Sequence, residues 1–376
     1  MADVRVSDDA SAPRVWVLLG EGAGGNAQMC ALAEALGWPF ETLQLRYNRL
    51  NHVPSALLGP SVRTVDRERS DPLTPPWPDL VIAASRRSAP VARWIKAQSG
   101  GHTRLVHLLH AQAPLHHFDL IVTLPQFRLP DAPNVLHNTL PLNVLDQARL
   151  ERAAQRWRPR LADLPRPWIA VLVGGDSSSY RLDPATARKL AQQAVDVAER
   201  HSGSLLVTTS KRTRADAAQA LWQAIRGPSY RYAWQADDAD NPYPAFLALA
   251  DRFIVTADSA SLPAEACATG RPVELFDWQP RAQPTGWARG AQTALAQRIG
   301  RGLIYWGAVK PRRDFAAFHR GLVERGLVGS DSPRGRVPDD MGRTVARIRA
   351  LMQTAVSPSA GDRRSRNDSP CSNHSS

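Results

Sequence analysis

Cysteine is scarce in this chain: three residues in 376, at positions 30, 267 and 371. Their spacing allows neither a Cys-x-x-Cys pair nor a disulfide framework, which excludes small stapled folds and cysteine-built zinc modules. Cys30 and Cys267 sit among alanines and leucines, as buried small hydrophobes do, and a reducing compartment fits them. Long apolar runs are missing too; none is long enough to span a bilayer. The first dozen residues, MADVRVSDDASA, are polar and acidic and do not read as a signal peptide. The expected setting is the cytoplasm, or the cytoplasmic face of the inner membrane. Nucleic-acid signatures are also lacking: the basic residues are scattered, with no zinc-finger spacing, RRM aromatic signature or helix-turn-helix. No nucleic-acid partner is expected.

What the chain does have is positive charge. Its formal net charge is +12, mostly from arginine. Such a balance favours anionic partners, either phosphorylated small molecules or an acidic membrane surface. A general surface bias in an Arg-, Ala- and Pro-rich chain would give the same number. The last residues, DRRSRNDSPCSNHSS, carry arginines in a polar segment without hydrophobic periodicity and read as disorder.

Alternating patterns organise the rest. RVWVLL at 14–19 is a short apolar run of the buried parallel-strand kind, followed by glycines from Gly20 to Gly25 and a helical pattern, NAQMCALAEALG, that stops at Gly37. FETLQLRY, PDLVIAAS, TRLVHLLH and FDLIVTLP are further strand candidates, with a helix in RRSAPVARWIKAQSGG. After a charged helical connector the form repeats: the strand PWIAVLV, then GGDSSSYRLDP, then the helix PATARKLAQQAVDVAERHSG. The strands SLLVTT, YRYAWQ and RFIVTA follow, with helices between them and two more near the end. This alternation predicts two similar α/β halves with mostly parallel sheets. Ligands of open α/β sheets bind beyond the carboxyl ends of the strands, so a cleft between the halves is the natural site.

Four polar loops fall at strand ends. GEGAGGNAQ at 20–28 offers close backbone approach and a helix N-terminus for an anion. As a dinucleotide fingerprint its spacing is not a clean G-x-G-x-x-G opening onto a helix, and no acidic residue clearly ends the second strand. A tight turn without ligand is the other reading, with Asn26 as a cap or a polar contact. In VGGDSSSYRL, Gly174 and Gly175 leave backbone N–H groups open and Ser177, Ser178 and Ser179 add uncharged donors, which suits a diphosphate or a sugar; a solvated Ser-rich turn is the other reading, and Asp176 caps a turn or orders the loop. TTSKRT at 208–213 has the cations and hydroxyls of a phosphate site, or of a capped helix start. In TADSASLPAEACATG at 256–270, Ser261 is an N-cap candidate and Glu265 lies one turn further on the same side. Glu265 could accept from vicinal ribose hydroxyls, or it could close a capping box.

The histidines of HLLHAQAPLHHFD and His137 invite a metal or acid–base reading. No Cys, Asp or Glu set at ligand spacing completes a site, and no Asp-x-Asp is read near a strand end, so no metal and no resident cofactor is expected.

LLGEGAGGNAQ, VGGDSSSYRL, TTSKRT, DNPYPAFLALAD and VTADSASLPAEACATGRPV, in this order, resemble the mitochondrial fission ELM1 family, which is grouped with GT-B-type glycosyltransferases. The resemblance covers roughly residues 14–310. It implies two Rossmann-like domains facing a cleft: 14–150 on the acceptor side, a connector at 151–166, 167–310 on the nucleotide-sugar side, C-terminal helices at 311–355 and a disordered tail at 356–376. On that pattern Gly174, Gly175 and Ser177 face the diphosphate, with Ser210 and Arg212 nearby. Asp258, Ser259, Ser261 and Glu265 hold the nucleoside and sugar, and Gly22, Gly24, Gly25 and Asn26 face the acceptor. Lys211, where a second arginine is expected, and the Leu262–Pro263 pair depart from the pattern. The implied activity is a metal-independent transfer from a nucleotide-sugar substrate to a cell-envelope glycan or lipid. The rival is a non-catalytic scaffold of the same fold at an anionic membrane surface, with a fission or envelope-organising role. An NAD-dependent epimerase is disfavoured by the incomplete first loop and the lack of a Tyr-x-x-x-Lys pair.

Overall fold

The computed structural model describes residues 12–353, apart from 54, 143–144, 178, 277, 279–293, 310–312 and 331–332. Ser178, the first eleven residues, Cys371 and the tail at 356–376 therefore lie outside the described residues.

Two separate parallel sheets organise the chain. The first half runs β1 (Val15–Leu19), α1 (Ala23–Leu36), β2 (Phe40–Gln44), α2 (Ser55–Leu58), β3 (Leu80–Ala84), α3 (Ser85–Gln98), β4 (Arg104–Leu108), β5 (Leu120–Thr123) and β6 (Val135–His137). Its strand order is β2-β1-β3-β4-β5-β6, every pair parallel. Next come α4 (Gln147–Trp157), β7 (Trp168–Leu172), α5 (Pro184–Arg200), β8 (Ser204–Thr208), α6 (Ala215–Ala224), β9 (Ser229–Tyr232), α7 (Tyr243–Leu249), β10 (Arg252–Thr256), α8 (Ser261–Ala268) and β11 (Val273–Phe276). The second sheet is ordered β11-β10-β7-β8-β9, again all parallel. α9 (Ala294–Tyr305), α10 (Phe315–Glu324) and α11 (Asp340–Gln353) follow.

The central strands LVIAA, WIAVL and SLLVT are buried along their whole length. Helices cover both faces of a parallel sheet, so such strands are apolar on both sides. α1 stops at Gly37, whose φ of 71° is left-handed and whose N–H reaches the Glu34 carbonyl. α5 starts with Asp183 as its side-chain cap and Pro184 at its first position.

These are two Rossmann-like halves facing a cleft, the GT-B-like layout. Several segments tie them together, two of them helices at the ends of the halves. α4 packs against α7, and Leu150 and Trp157 of α4 join a core cluster with Phe246 and Leu247. α11 then returns to the first half and packs against α1. Asp340, its buried first residue, accepts from the Thr139 and Leu140 N–H groups at 2.8 Å each. Burial pushes the Asp340 carboxyl above its ordinary range. Among the described residues no helix is long and apolar enough to cross a membrane.

The strand orders fix where the functional loops meet. In the second sheet β7 and β10 are neighbours although five elements of chain separate them, and β8 lies on the other side of β7. The β7–β10 boundary is that sheet's topological switch point, and β1–β3 is the first sheet's.

Candidate functional site

The loops beyond β7, β8 and β10 close on one another as a polar knot. The Gly174 N–H donates to the Thr256 hydroxyl at 2.8 Å, and the Gly175 N–H to Asp258 Oδ2 at 3.1 Å. Asp258 also accepts from the Thr256 hydroxyl at 2.7 Å and pairs with Arg212 Nη2 at 2.7 Å. The Ser210 hydroxyl donates to the Gly174 carbonyl at 2.8 Å, and Thr213 bonds the same carbonyl. The Asp258 side chain is fully buried. Burial raises its pKa above the ordinary carboxylate value, against the pull of Arg212, the Thr256 hydroxyl and the Gly175 N–H.

This corrects the expectation of open N–H groups at Gly174 and Gly175: both are engaged inside the protein. The glycines serve close approach instead. A Cβ on Gly174 would lie 2.1 Å from Asp258 Oδ1, and one on Gly175 would lie 2.1 Å from the Arg212 carbonyl oxygen. The Ser177 hydroxyl accepts from the Tyr180 N–H at 3.1 Å, closing a turn over the buried Tyr180 ring, and Asp176 orders the loop by accepting from the Leu182 N–H at 2.9 Å. Arg212 keeps a partly exposed guanidinium, and Ser259 has a buried hydroxyl with no partner among the described residues.

α8 distinguishes the two readings of the 256–270 stretch. Its N-cap is Ala260, without a side-chain cap bond, so Ser261 is the first helical residue and not the cap, and no capping box forms. Glu265 Oε2 instead accepts from the Tyr243 hydroxyl of α7 at 2.6 Å. Burial, with the carboxylate beside it, pushes the Tyr243 hydroxyl well above its ordinary pKa, so it stays a proton donor.

Glu265 and Ser261 line a cavity of about 280 Å³ that is closed from the other side by Gly24 and Ala27 of α1 and by Arg149 of α4. The cavity spans the two halves beside both switch points. It unites three of the expected residues, Gly24, Ser261 and Glu265, with Tyr243 and Arg149, which sequence reasoning missed. Tyr243 stands in DNPYPAFLALAD, where Asn241 accepts from its N–H at 2.9 Å, but nothing local marks its hydroxyl as a partner of Glu265. Arg149 is exposed, and its guanidinium has no partner among the described residues. Asp146, also at the rim, caps α4 through the Arg149 N–H at 2.9 Å.

The first glycine loop differs from its expected form. α1 begins at Ala23, so Gly24 and Gly25 are helical and Gly22 is the N-cap. Gly20, Gly22 and Gly25 do carry G-x-G-x-x-G spacing, and β1 opens onto α1 through it. The earlier reading of that spacing is thus corrected, although β2 ends in Gln44 and not in an acid. None of these glycines has positive φ. A Cβ on Gly22 or Gly24 would meet nothing within 4 Å. The Asn26 amide is neither cap nor free contact: it bridges the Gly20 N–H at 3.0 Å and the Gly20 carbonyl at 2.8 Å.

Two smaller expectations also change. Cys267 is buried, its thiol pushed up to about 12 by that burial, but Cys30 is only half-buried. An Asp-x-Asp does occur, at Asp238 and Asp240, six residues beyond β9. Asp238 accepts from the Tyr232 hydroxyl at 2.6 Å, and Asp240 pairs with Arg156 and Arg160 at 2.7 and 2.8 Å. Among the described residues no three His, Cys, Asp or Glu side chains gather where a metal could sit.

A family model described as Mitochondrial fission ELM1 matches residues 23–300. The Mitochondrial fission protein ELM1 of Arabidopsis thaliana is 30% identical over 218 residues, 52% of this chain and 51% of that protein. The chain thus spans about half the length of that relative. An uncharacterized protein of Rickettsia prowazekii (strain Madrid E) is 24% identical over 295 residues, 70% of this chain and 82% of that one. Among solved structures, a UDP-GlcNAc 2-epimerase from Methanocaldococcus jannaschii is 12% identical at a TM-score of 0.44, with 91% of this chain and 99% of that chain covered. A glycosyltransferase from Rickettsia africae ESF-5 is 10% identical at a TM-score of 0.44, with 93% and 100% covered. The chain belongs to the mitochondrial fission ELM1 family.

Proposed function

We propose that the protein is a GT-B-like, metal-independent glycosyltransferase that binds a nucleotide-sugar in the cavity between its halves and passes the sugar to a cell-envelope glycan or lipid. One observation carries this reading. Glu265 follows the switch-point strand β10, is not a helix cap, and faces a cavity of about 280 Å³ whose opposite wall is the first glycine loop. A carboxylate placed there accepts from vicinal ribose hydroxyls, as acidic residues of dinucleotide folds do.

In this reading Tyr243 orients Glu265, Ser261 and Ser259 reach the nucleoside or sugar, and Gly22, Gly24 and Gly25 let the acceptor approach α1. Arg149 and the exposed part of Arg212 face the diphosphate and stabilise its departure as a leaving group. Gly174, Gly175, Ser177, Ser210 and Asp258 set the shape of the loops that carry these groups. The acceptor hydroxyl must lose a proton to a base.

A second reading is a non-catalytic scaffold at an anionic membrane surface. It is favoured by the state of the cavity's two carboxylates: Asp146 caps α4 and Glu265 holds Tyr243, so neither stands ready as that base. A panel of UDP-, GDP-, ADP- and CMP-sugars separates the readings by thermal stabilisation, since a ligand of the native state raises stability by mass action. The transferase reading expects a shift with one base class, lost in Glu265→Ala. No shift with any donor would sink it.

A further inference from the structure

A second pocket lies at the carboxyl edge of the first sheet, apart from the interdomain cavity. It encloses about 220 Å³ beyond β3 and β4 and is lined by Arg86, Arg87, His110, Gln112, Phe127 and Arg313, with Ser85 at its edge. Three guanidinium groups thus meet in one small space. Among the described residues only one of them has a carboxylate: Arg87 pairs with Glu21 of the glycine loop. Arg86 donates to two backbone carbonyls, Asn51 at 2.6 Å and Val53 at 3.4 Å. Arg313 lies over the Phe127 ring at 5.6 Å.

This placement runs against the helix that carries it. Arg86 and Arg87 occupy the first turn of α3, where the positive end of the helix dipole disfavours cations. That turn holds no acidic residue, and its N-cap, Ala84, gives no side-chain bond. Burial and the neighbouring Arg87 both lower the Arg86 pKa. Among the described residues, two cations, a helix N-terminus and a third cation from a distant segment have one exposed glutamate between them. An anion in the pocket removes the conflict.

We propose that this pocket is an anion subsite that takes the phosphate group of a phosphorylated acceptor. The proposal rests on the transferase reading for the word acceptor and on the pocket alone for the anion. Its position suits the role. Arg87 is tied to Glu21, and a Cβ on Gly25 would lie 3.7 Å from the Ala84 methyl, so the pocket adjoins the glycine loop whose Gly24 lines the donor cavity. Beneath it the buried His107 donates from Nε2 to the Ser85 carbonyl at 3.0 Å and holds the strand end in place. Two or three guanidinium donors on one phosphate give charge-assisted, partly bidentate recognition. The same chemistry serves a soluble phosphomonoester and a lipid phosphate.

The test is calorimetric titration of inorganic phosphate into the full chain. Three proteins are compared: wild type, the double variant Arg87→Gln/Arg313→Gln, and Arg149→Gln in the donor cavity. Arg86 is left in place because it also holds the loop at Asn51. Wild type should bind phosphate. The double variant should bind about tenfold or more weakly with an unchanged thermal midpoint, and Arg149→Gln should bind as wild type does. Absence of phosphate binding to wild type, or loss in Arg149→Gln but not in the double variant, overturns the proposal. Co-sedimentation with phosphatidylcholine vesicles with and without phosphatidic acid, beside titration of glycerol 3-phosphate, tells the lipid source from the soluble one; sensitivity of either to the double variant supports the subsite. Nucleotide-sugar stabilisation is read separately. Phosphate binding without it sinks the transferase reading alone, and the converse sinks this proposal alone.

Discussion

The two halves carry the same strand–loop–helix scheme but treat the carboxyl edge of the sheet in opposite ways. In the second half the loops beyond β7, β8 and β10 satisfy one another: Asp258, Thr256, Ser210, Arg212 and two glycine N–H groups form one closed network. In the first half the edge is left open. Gly22 and Gly24 border free space, Ser85, Leu109 and Gln112 hold left-handed backbone, and guanidinium groups outnumber carboxylates. The residues most like ligands in the second half are thus largely structural, whereas the interdomain cavity and the first half's basic edge are lined by groups outside that network. Polar, glycine-rich loops at strand ends locate a site; they do not say which of their groups remain available.

Breaking the closed network should have the largest effect. Gly174→Ala or Gly175→Ala forces a Cβ to 2.1 Å from Asp258 or the Arg212 carbonyl, and each should cost about 3 kcal/mol or more in urea unfolding. An alanine tolerated at either position would show that the network opens easily.

His107 in the first half and Asp258 in the second should answer acid with opposite signs. His107 is fully buried, and burial brings its pKa down to about 4 from an ordinary 6.5. Between those values the folded protein binds fewer protons than the unfolded chain, so the fold loses roughly 3 kcal/mol as pH falls from 6.5 to about 4. The more exposed His117 is also lowered to about 4, by partial burial and by the cations and imidazole around it, and adds less in the same direction. Asp258 is shifted the other way. From its ordinary 3.8 up to its raised folded value the folded state binds more protons, so acidification through that window favours the fold. Urea unfolding across pH should show the first slope reduced in His107→Gln and the second removed in Asp258→Asn. An unchanged profile in His107→Gln contradicts the assignment.

Tyr243→Phe removes the hydroxyl that donates to Glu265. It should lower stability by about 1–2 kcal/mol and weaken nucleotide-sugar binding, read by thermal denaturation with and without donor. The smallest effect is at the open edge. Gly24→Ala sits in the first turn of α1 with nothing within 4 Å, so it should stabilise by about 0.5–1 kcal/mol while narrowing the cavity.

Much of the fold was legible because central parallel strands are apolar on both faces: LVIAA and WIAVL are buried at every residue and stand out as short runs between glycines and prolines. β6 was not, since VLH is only three half-buried residues at a sheet edge. The start of α1 was misplaced because glycine is a poor helix former, and packing against β1 and β3 overrides that preference here. At the site, Glu265 could be found from its place one turn into the helix that follows a strand end. Tyr243 could not, because its partner is 22 residues away. The roles of Gly174 and Gly175 depend on Asp258 and Arg212, which only the sheet order brings to them.

The central claim is that a nucleotide-sugar sits in the cavity between the halves and not on the closed network. Amide hydrogen exchange with and without the donor that stabilises the protein most tests this directly. The account predicts joint protection of the first turns of α1, α4, α7 and α8, the helix starts around the cavity, and its loss in Glu265→Gln. Protection confined to 174–177 and 210–213, with α1 and α8 unchanged, would contradict it.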